Sequence, residues 1–285
     1  MATPETLAIM QARYGDGPAT QVAAYGEEHS IGGVKVRFHP AGHVLGSAQI
    51  SLEYKGHRIV VSGDYKRRGD PTCLPFEVVP CDVFITEATF ALPVFVHPDT
   101  ADEVTKIIQA CQQNPGRTIL VGAYALGKCQ RVIRHLRLQG YDRPIYLHGA
   151  MTALCALYEH HGVPLGSLQP VNLKNKDKLA GEIVMCPPGQ LNDRWAARFA
   201  NPITAFASGW MRVRQRAKQR GVELPLIISD HADWMELTDT IKEVSPQEVW
   251  VTHGREDALV HWCETQGIDA QALSLLGRDE GGEGG

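Results

Sequence analysis

Ala41-Gly42-His43-Val44-Leu45-Gly46-Ser47 and, further on, Ser62-Gly63-Asp64-Tyr65-Lys66 decide how the rest of this 285-residue chain is read. His43 sits in a Gly-flanked turn, and Asp64 follows the apolar run Arg58-Ile59-Val60-Val61-Ser62. Both are metal-ligand side chains, and each is placed where a turn exposes it. Working outward, Val34-Lys35-Val36-Arg37-Phe38 and Ala48-Gln49-Ile50-Ser51-Leu52-Glu53-Tyr54 alternate apolar and polar residues, as half-buried strands do. Residues 58–62 and 83–86 read as more deeply buried strands, and Lys55-Gly56-His57 as a turn. Upstream, Thr3 is placed to cap a helix that begins at Pro4.

From about Thr100 the pattern changes to strand–helix alternation. Val104, Ile107, Ile108 and Cys111 share one face of a helix expected over 102–113, and Val132, Ile133 and Leu136 one of a helix over 126–139. Strands are expected at 118–121 and 145–147, which together argue a parallel α/β unit. Further buried strands are read at 183–185, 205–207 and 226–228, a helix over 234–244 and a late strand at 249–252. The last residues, 278–285, carry no apolar side chain and are expected to be disordered.

The net charge of −4 and pI of about 6.3 exclude a global basic field, so any contact with nucleic acid has to be local. The seven cysteines are scattered without a Cys-x-x-Cys pair, which argues free thiols in a reducing cytoplasm rather than a zinc ribbon. No apolar run approaches the roughly 18 residues that a membrane span needs, and no signal peptide is visible. A cytoplasmic protein without a membrane partner is expected.

Five side chains are candidates for chemistry. Asp64, Glu87, His231 and His253 each follow or end an apolar strand pattern, and His43 lies in its turn. Ligands of α/β folds gather beyond the carboxyl ends of strands. Taken singly, each is equally readable as a solvated turn residue or helix cap; the case rests on the five occurring together. Phosphate contacts are suggested by Ser208 and Gly209 after a strand, and by Lys128 and Arg131 near a helix start, although a wet helix face accounts for the last two as well. Arg212, Arg214, Arg216, Lys218 and Arg220 form the densest basic stretch, either a solvated helix or a path for a nucleic-acid backbone.

Read in order, these runs resemble the metallo-β-lactamase-fold nucleases of the β-CASP group. Ala41 to Ser47 resembles the group's third metal motif and Ser62-Gly63-Asp64 its fourth. Ile85-Thr86-Glu87-Ala88-Thr89-Phe90, Ser229-Asp230-His231-Ala232-Asp233 and Val251-Thr252-His253-Gly254 fall where the group carries its acidic residue and two later histidines. Tyr65-Lys66-Arg67-Arg68, Tyr124-Ala125-Leu126-Gly127-Lys128 and Ser208-Gly209-Trp210-Met211 look most like the bacterial ligase-associated DNA exonuclease branch, also described as mRNA 3′-end processing factor-like.

The resemblance implies an α/β fold: a metallo-β-lactamase αββα sandwich with an inserted α/β β-CASP cap. The sandwich would comprise residues 1–100 and 213–276, the cap 101–212, and a tail 277–285. It implies two divalent metals, zinc or manganese, with His43 on one, His253 on the other and Asp64 bridging. Asp64, Glu87 and His231 would be catalytic, His231 giving a proton to the leaving oxygen while Glu87 orients it. Single-stranded nucleic acid would be the partner, DNA favoured, cut as a 3′ exonuclease within a repair system that includes a DNA ligase or helicase. An RNA-processing nuclease of the same group and a catalytically impaired nucleic-acid-binding form stay open beside it, and a lactamase- or glyoxalase-type hydrolase lies further off. The group's His-x-His-x-Asp-His run is absent from the sequence. The chain is therefore expected to start late, with a sandwich incomplete at its N-terminus.

Overall fold

The computed structural model describes residues 1–15, 17 and 20–273, so the expected tail over 277–285 lies outside the described residues. The chain divides into two compact units, one of Met1–Leu7, Asp16–Val96 and His231–Gly285, the other of Ala8–Gly15 and His97–Asp230. Helix α1 (Pro4–Tyr14) opens the chain, and Thr3 caps it as expected, its Oγ1 accepting the Thr6 N–H at 3.3 Å.

The first unit is built on one seven-stranded sheet. Strands β1 (His29–Ile31), β2 (Val34–Pro40), β3 (Ala48–Tyr54) and β4 (His57–Val61) run as an antiparallel meander. Strand β5 (Val83–Ala88) then adds parallel to β4. The remaining strands of this sheet come from the other end of the chain: β12 (Glu248–Gly254) pairs parallel with β5, and β13 (Asp269–Ala272) with β12. Among the described residues the unit holds this single sheet, where the resemblance implies a sandwich incomplete at its N-terminus. Phe84, Val60, Val249 and Val251 pack from it against Leu237, Ile241 and Val244 of helix α6 (Trp234–Val244) and Leu259 and Cys263 of helix α7 (Glu256–Thr265). Helix α6 begins and ends where its apolar period predicts.

The second unit is a six-stranded parallel sheet ordered β11-β10-β6-β9-β7-β8. Its strands are β6 (Ile119–Gly122), β7 (Ile145–Leu147), β8 (Leu168–Pro170), β9 (Ile183–Cys186), β10 (Ile203–Ala207) and β11 (Leu224–Leu226). Helix α2 (Thr100–Gln113) precedes β6, and helices α3 (Lys128–Leu138), α4 (Gly149–His160) and α5 (Arg214–Arg220) lie in connections between these strands. Every residue of β6 and β9 is buried, which is why those runs read as uninterrupted apolar stretches.

Two expectations are corrected here. The boundary expected at 212 lies later, because β11 pairs with β10 and carries the chain to Asp230 within the second unit. The strand expected over 226–228 ends at Leu226. The Ile227 N–H leaves the sheet and donates to Glu103 Oε2 at 2.8 Å, and the Ile228 N–H turns back to the Leu226 carbonyl.

Candidate metal centre

The turn that carries His43 has almost no freedom. Gly42 has φ +72°, and a Cβ there would stand 2.3 Å from the Lys66 carbonyl oxygen. Gly46, at φ +78°, would meet Glu5 Cβ and Thr6 N at 2.7 Å. Only glycine satisfies both demands. The Ser47 hydroxyl accepts the His43 and Val44 N–H groups at 3.1 and 3.2 Å, and Thr3 and Thr6 hydroxyls donate to the Gly46 carbonyl at 2.7 and 2.8 Å. The loop is fixed from both sides, and the imidazole is left half-buried.

Asp64 comes off the end of β4 through Gly63, at φ +56°. The Ser62 N–H donates to Ile85 O at 2.9 Å, so the sheet hydrogen bonding continues to the residue before that glycine. His43 Nε2 and Asp64 Oδ2 are 3.9 Å apart. His231 completes the arrangement: one donor atom each of His43, Asp64 and His231 lies within 4.8 Å of the others, and the two imidazoles sit 4.6 Å apart by ring centroids.

Glu87 lies beneath His231. Its carboxylate is 2 % exposed and accepts from His231 Nδ1 at 3.0 Å and from the Tyr65 N–H at 2.8 Å. Burial alone raises a carboxyl pKa, but the His231 charge and hydrogen bonds from His231, Thr89 and Tyr65 outweigh it and hold Glu87 below the usual range. With Nδ1 engaged by Glu87, Nε2 is the ring nitrogen on the side away from that carboxylate.

The loops bearing Asp64 and His231 are stitched together directly. The Ala232 N–H donates to Tyr65 O at 2.6 Å, and the Arg68 N–H to Glu236 Oε1 at 2.7 Å. Arg68 Nη2 also reaches Asp233 Oδ2 at 2.5 Å. Asp233 and Glu236 form a capping box at the start of α6. The Asp-x-x-Glu spacing is a readable signal for that box, but reading Asp233 and Glu236 as bracing for the site needed the contact with Arg68.

His253 stands near the end of β12. It is the bulged residue of β12, at φ +61°, where the register with β5 shifts between Thr252 and Gly254. Gly254 is required beside it, since a Cβ there would stand 2.2 Å from Ala88 O. A bulge re-aims one side chain out of a strand's alternation. Among the described residues, the donor atoms that lie within 4.8 Å of one another are those of His43, Asp64 and His231. Three donors of nitrogen and carboxylate type suit one divalent ion with an open position. They do not make two complete sites.

The expected phosphate contacts lie in the second unit and are largely spent internally. Lys128 is 5 % exposed and pairs with Asp230 at 3.0 Å; Arg131 is 1 % exposed and donates to the Ser229 carbonyl. Neither lies on a wet helix face, the alternative that the sequence leaves open, because Asp230 and Ser229 meet them from a distant part of the chain. Ser208 and Gly209 are buried, and the Ser208 hydroxyl accepts the Trp210 N–H at 3.3 Å as the cap of a short 3₁₀ turn, Gly209–Arg212.

No family model matches the chain. It is 29 % identical over 273 residues to a protein named probable DNA ligase from Opitutus terrae, a match that covers 94 % of this chain and 26 % of that one. It is 30 % identical over 152 residues to the endoribonuclease ysh-1 of Neurospora crassa, covering 49 % of this chain and 18 % of that one. The chain thus spans about a quarter or less of either relative. A crystal structure of a protein of unknown function from Enterococcus faecalis V583 matches with a TM-score of 0.64 at 15 % identity, over 97 % of this chain and 74 % of that one. No helix among the described residues is long and apolar enough to cross a membrane.

Proposed function

We propose that this chain, whose homologues are β-CASP nucleases of the metallo-β-lactamase fold and a ligase-named protein, is a metal-dependent phosphodiester hydrolase of single-stranded nucleic acid, with DNA as substrate, acting as a 3′ exonuclease in repair. The observation that carries the reading is the Glu87–His231 pair set against His43 and Asp64. The preference for DNA rests on the branch resemblance and on the ligase-named relative. The second unit would correspond to the group's cap.

His43 and Asp64 would hold a divalent ion, zinc or manganese, with His253 on the neighbouring bulge as the group's further ligand. When bound, such an ion lowers the pKa of water and withdraws charge from a phosphoryl oxygen. The chain's own part is proton handling. His231 presents Nε2 to the leaving 3′ oxygen, while Glu87 holds the Nδ1 tautomer and stabilises the charged imidazole. Burial of Glu87 keeps competing water from that carboxylate, and the Ala232–Tyr65 hydrogen bond fixes the distance between His231 and Asp64.

A specific observation favours a second reading. Three donors close together suit one ion rather than two, as in a nucleic-acid-binding form with impaired catalysis. The test uses the chain as it stands, with single-stranded DNA and RNA labelled at either end, in added Zn²⁺ or Mn²⁺. Shortening from the 3′ end of DNA, abolished in Asp64→Ala, supports the proposal. Shortening of RNA alone moves it to the RNA-processing form, and tight binding without cleavage to the impaired form. Cleavage that Asp64→Ala leaves unchanged rejects the site altogether.

A further inference from the structure

Helix α5 is built unlike the other crossovers of its sheet. It connects the parallel neighbours β10 and β11, a place where a helix ordinarily buries one face against the sheet. Yet none of its residues is buried, and Ala217 is the one apolar side chain in Arg-Gln-Arg-Ala-Lys-Gln-Arg. Core packing therefore does not explain its composition. No acidic residue occurs between Asp193 and Glu223, a stretch that carries seven arginines and lysines in a chain of net charge −4. Crowding like charges on one turn and helix costs stability unless an anion relieves it.

The cations sort by helical spacing. Arg216 and Arg220, four residues apart, lie over aromatic rings: Arg216 Cζ is 4.1 Å from the Trp210 ring centre, and Arg220 Cζ 4.9 Å from that of Phe206. Arg214 and Lys218, also four apart, form the other row, exposed and without an ion-pair partner among the described residues. Arg216 is itself exposed while one side lies on the indole, so its guanidinium is a flat surface already held in place.

We infer that the 212–220 segment is a docking face for single-stranded nucleic acid, in which Arg214 and Lys218 hold successive phosphates and the Trp210-backed guanidinium of Arg216 stacks a base. Charge selects a polyanion. The preformed planar stack selects one with aromatic bases over an acidic protein, since bases stack on arginine planes and aromatic rings with little regard to sequence. The inference rests on the nucleic-acid reading above, but it assigns binding to residues that take no part in the chemistry.

The experiment is anisotropy of a fluorescein-labelled oligothymidylate with the full chain in EDTA, over a series of salt concentrations. Each phosphate contact in a single strand contributes roughly 0.7 to the slope of log affinity against log salt. Arg214→Gln/Lys218→Gln is expected to weaken binding about tenfold at low salt and to flatten the slope by about 1.4. Arg216→Lys keeps the charge and loses the plane; it is expected to weaken oligothymidylate severalfold with the slope unchanged, while leaving heparin binding as it was. Unchanged affinity and slope in the double variant overturn the inference. So does an Arg216→Lys variant that loses heparin and oligothymidylate equally. Turnover of bis(p-nitrophenyl) phosphate with added metal is read in parallel. Its absence counts against the proposed hydrolase and leaves the EDTA binding result standing.

Discussion

Replacing Glu236 by Gln gives a sharp test of how the two site loops are held. The Glu236 carboxylate accepts N–H groups from Arg68 at 2.7 Å and Asp233 at 2.9 Å, with Lys66 Nζ at 3.7 Å. Burial alone pushes this carboxyl up, but the Lys66 and Arg68 charges and the two backbone donors bring it down from 4.5 to about 2. At ~1.36 kcal/mol per pH unit, that difference is ~3 kcal/mol. The group is 8 % exposed, so solvent screening takes little from it. The sign follows from the depressed pKa. The contribution is fully present above about pH 4.5 and is lost as the pH falls towards 2. Glutamine cannot titrate, and it removes a carboxylate charge from beside Lys66, which is 5 % exposed. The variant should therefore lose ~3 kcal/mol at pH 7, a urea midpoint lower by ~1 M or more. Its deficit relative to the native chain should shrink steadily below pH 4.5. Urea unfolding at pH 7, 5, 4 and 3 measures this. A deficit equal at pH 7 and pH 3, or none at pH 7, refutes the reasoning.

Three further outcomes follow from the site. Gly42→Ala places a Cβ against the Lys66 carbonyl at a positive φ; a loss of ~2 kcal/mol or more is expected in thermal or urea unfolding, and a midpoint within error of the native one contradicts the geometry. Glu87→Gln removes the charge behind His231 and should lower kcat on labelled oligonucleotide about 10²-fold or more with KM nearly unchanged, in line with the worth of a positioned acid–base group; an equal change carried by KM alone counts against that role. Asp64→Asn should abolish metal retention through dialysis by elemental analysis while far-UV circular dichroism stays native, and His231→Ala separates the two roles of that histidine, because retained metal identifies a proton donor and lost metal a third ligand.

Much of the architecture is legible in the local pattern. The alternation over 48–54 and the apolar face over 234–244 correspond to elements with those bounds. The Gly-flanked His43 turn was readable because its glycines mark positive φ and close approach, both of which the structure contains. The strand expected over 226–228 stops at Leu226; the side-chain pattern does not record which backbone groups stay in the sheet. Ile227 satisfies its N–H on the Glu103 side chain instead, and that partner is remote in sequence.

The sequence by itself determined which residue types are available for chemistry and the strands and turns that present them: His43, Asp64, Glu87, His231 and His253. Tertiary structure decided how they combine. It put His231 with His43 and Asp64, set His253 on a bulge beside β5, and buried Lys128 and Arg131 against Asp230 and Ser229. The reason is physical. Periodicity reports how deeply a residue is buried relative to its neighbours on one element, whereas ligation, proton transfer and ion pairing depend on a partner brought from elsewhere in the chain, and a charge reads the same in sequence whether that partner is water or a buried carboxylate.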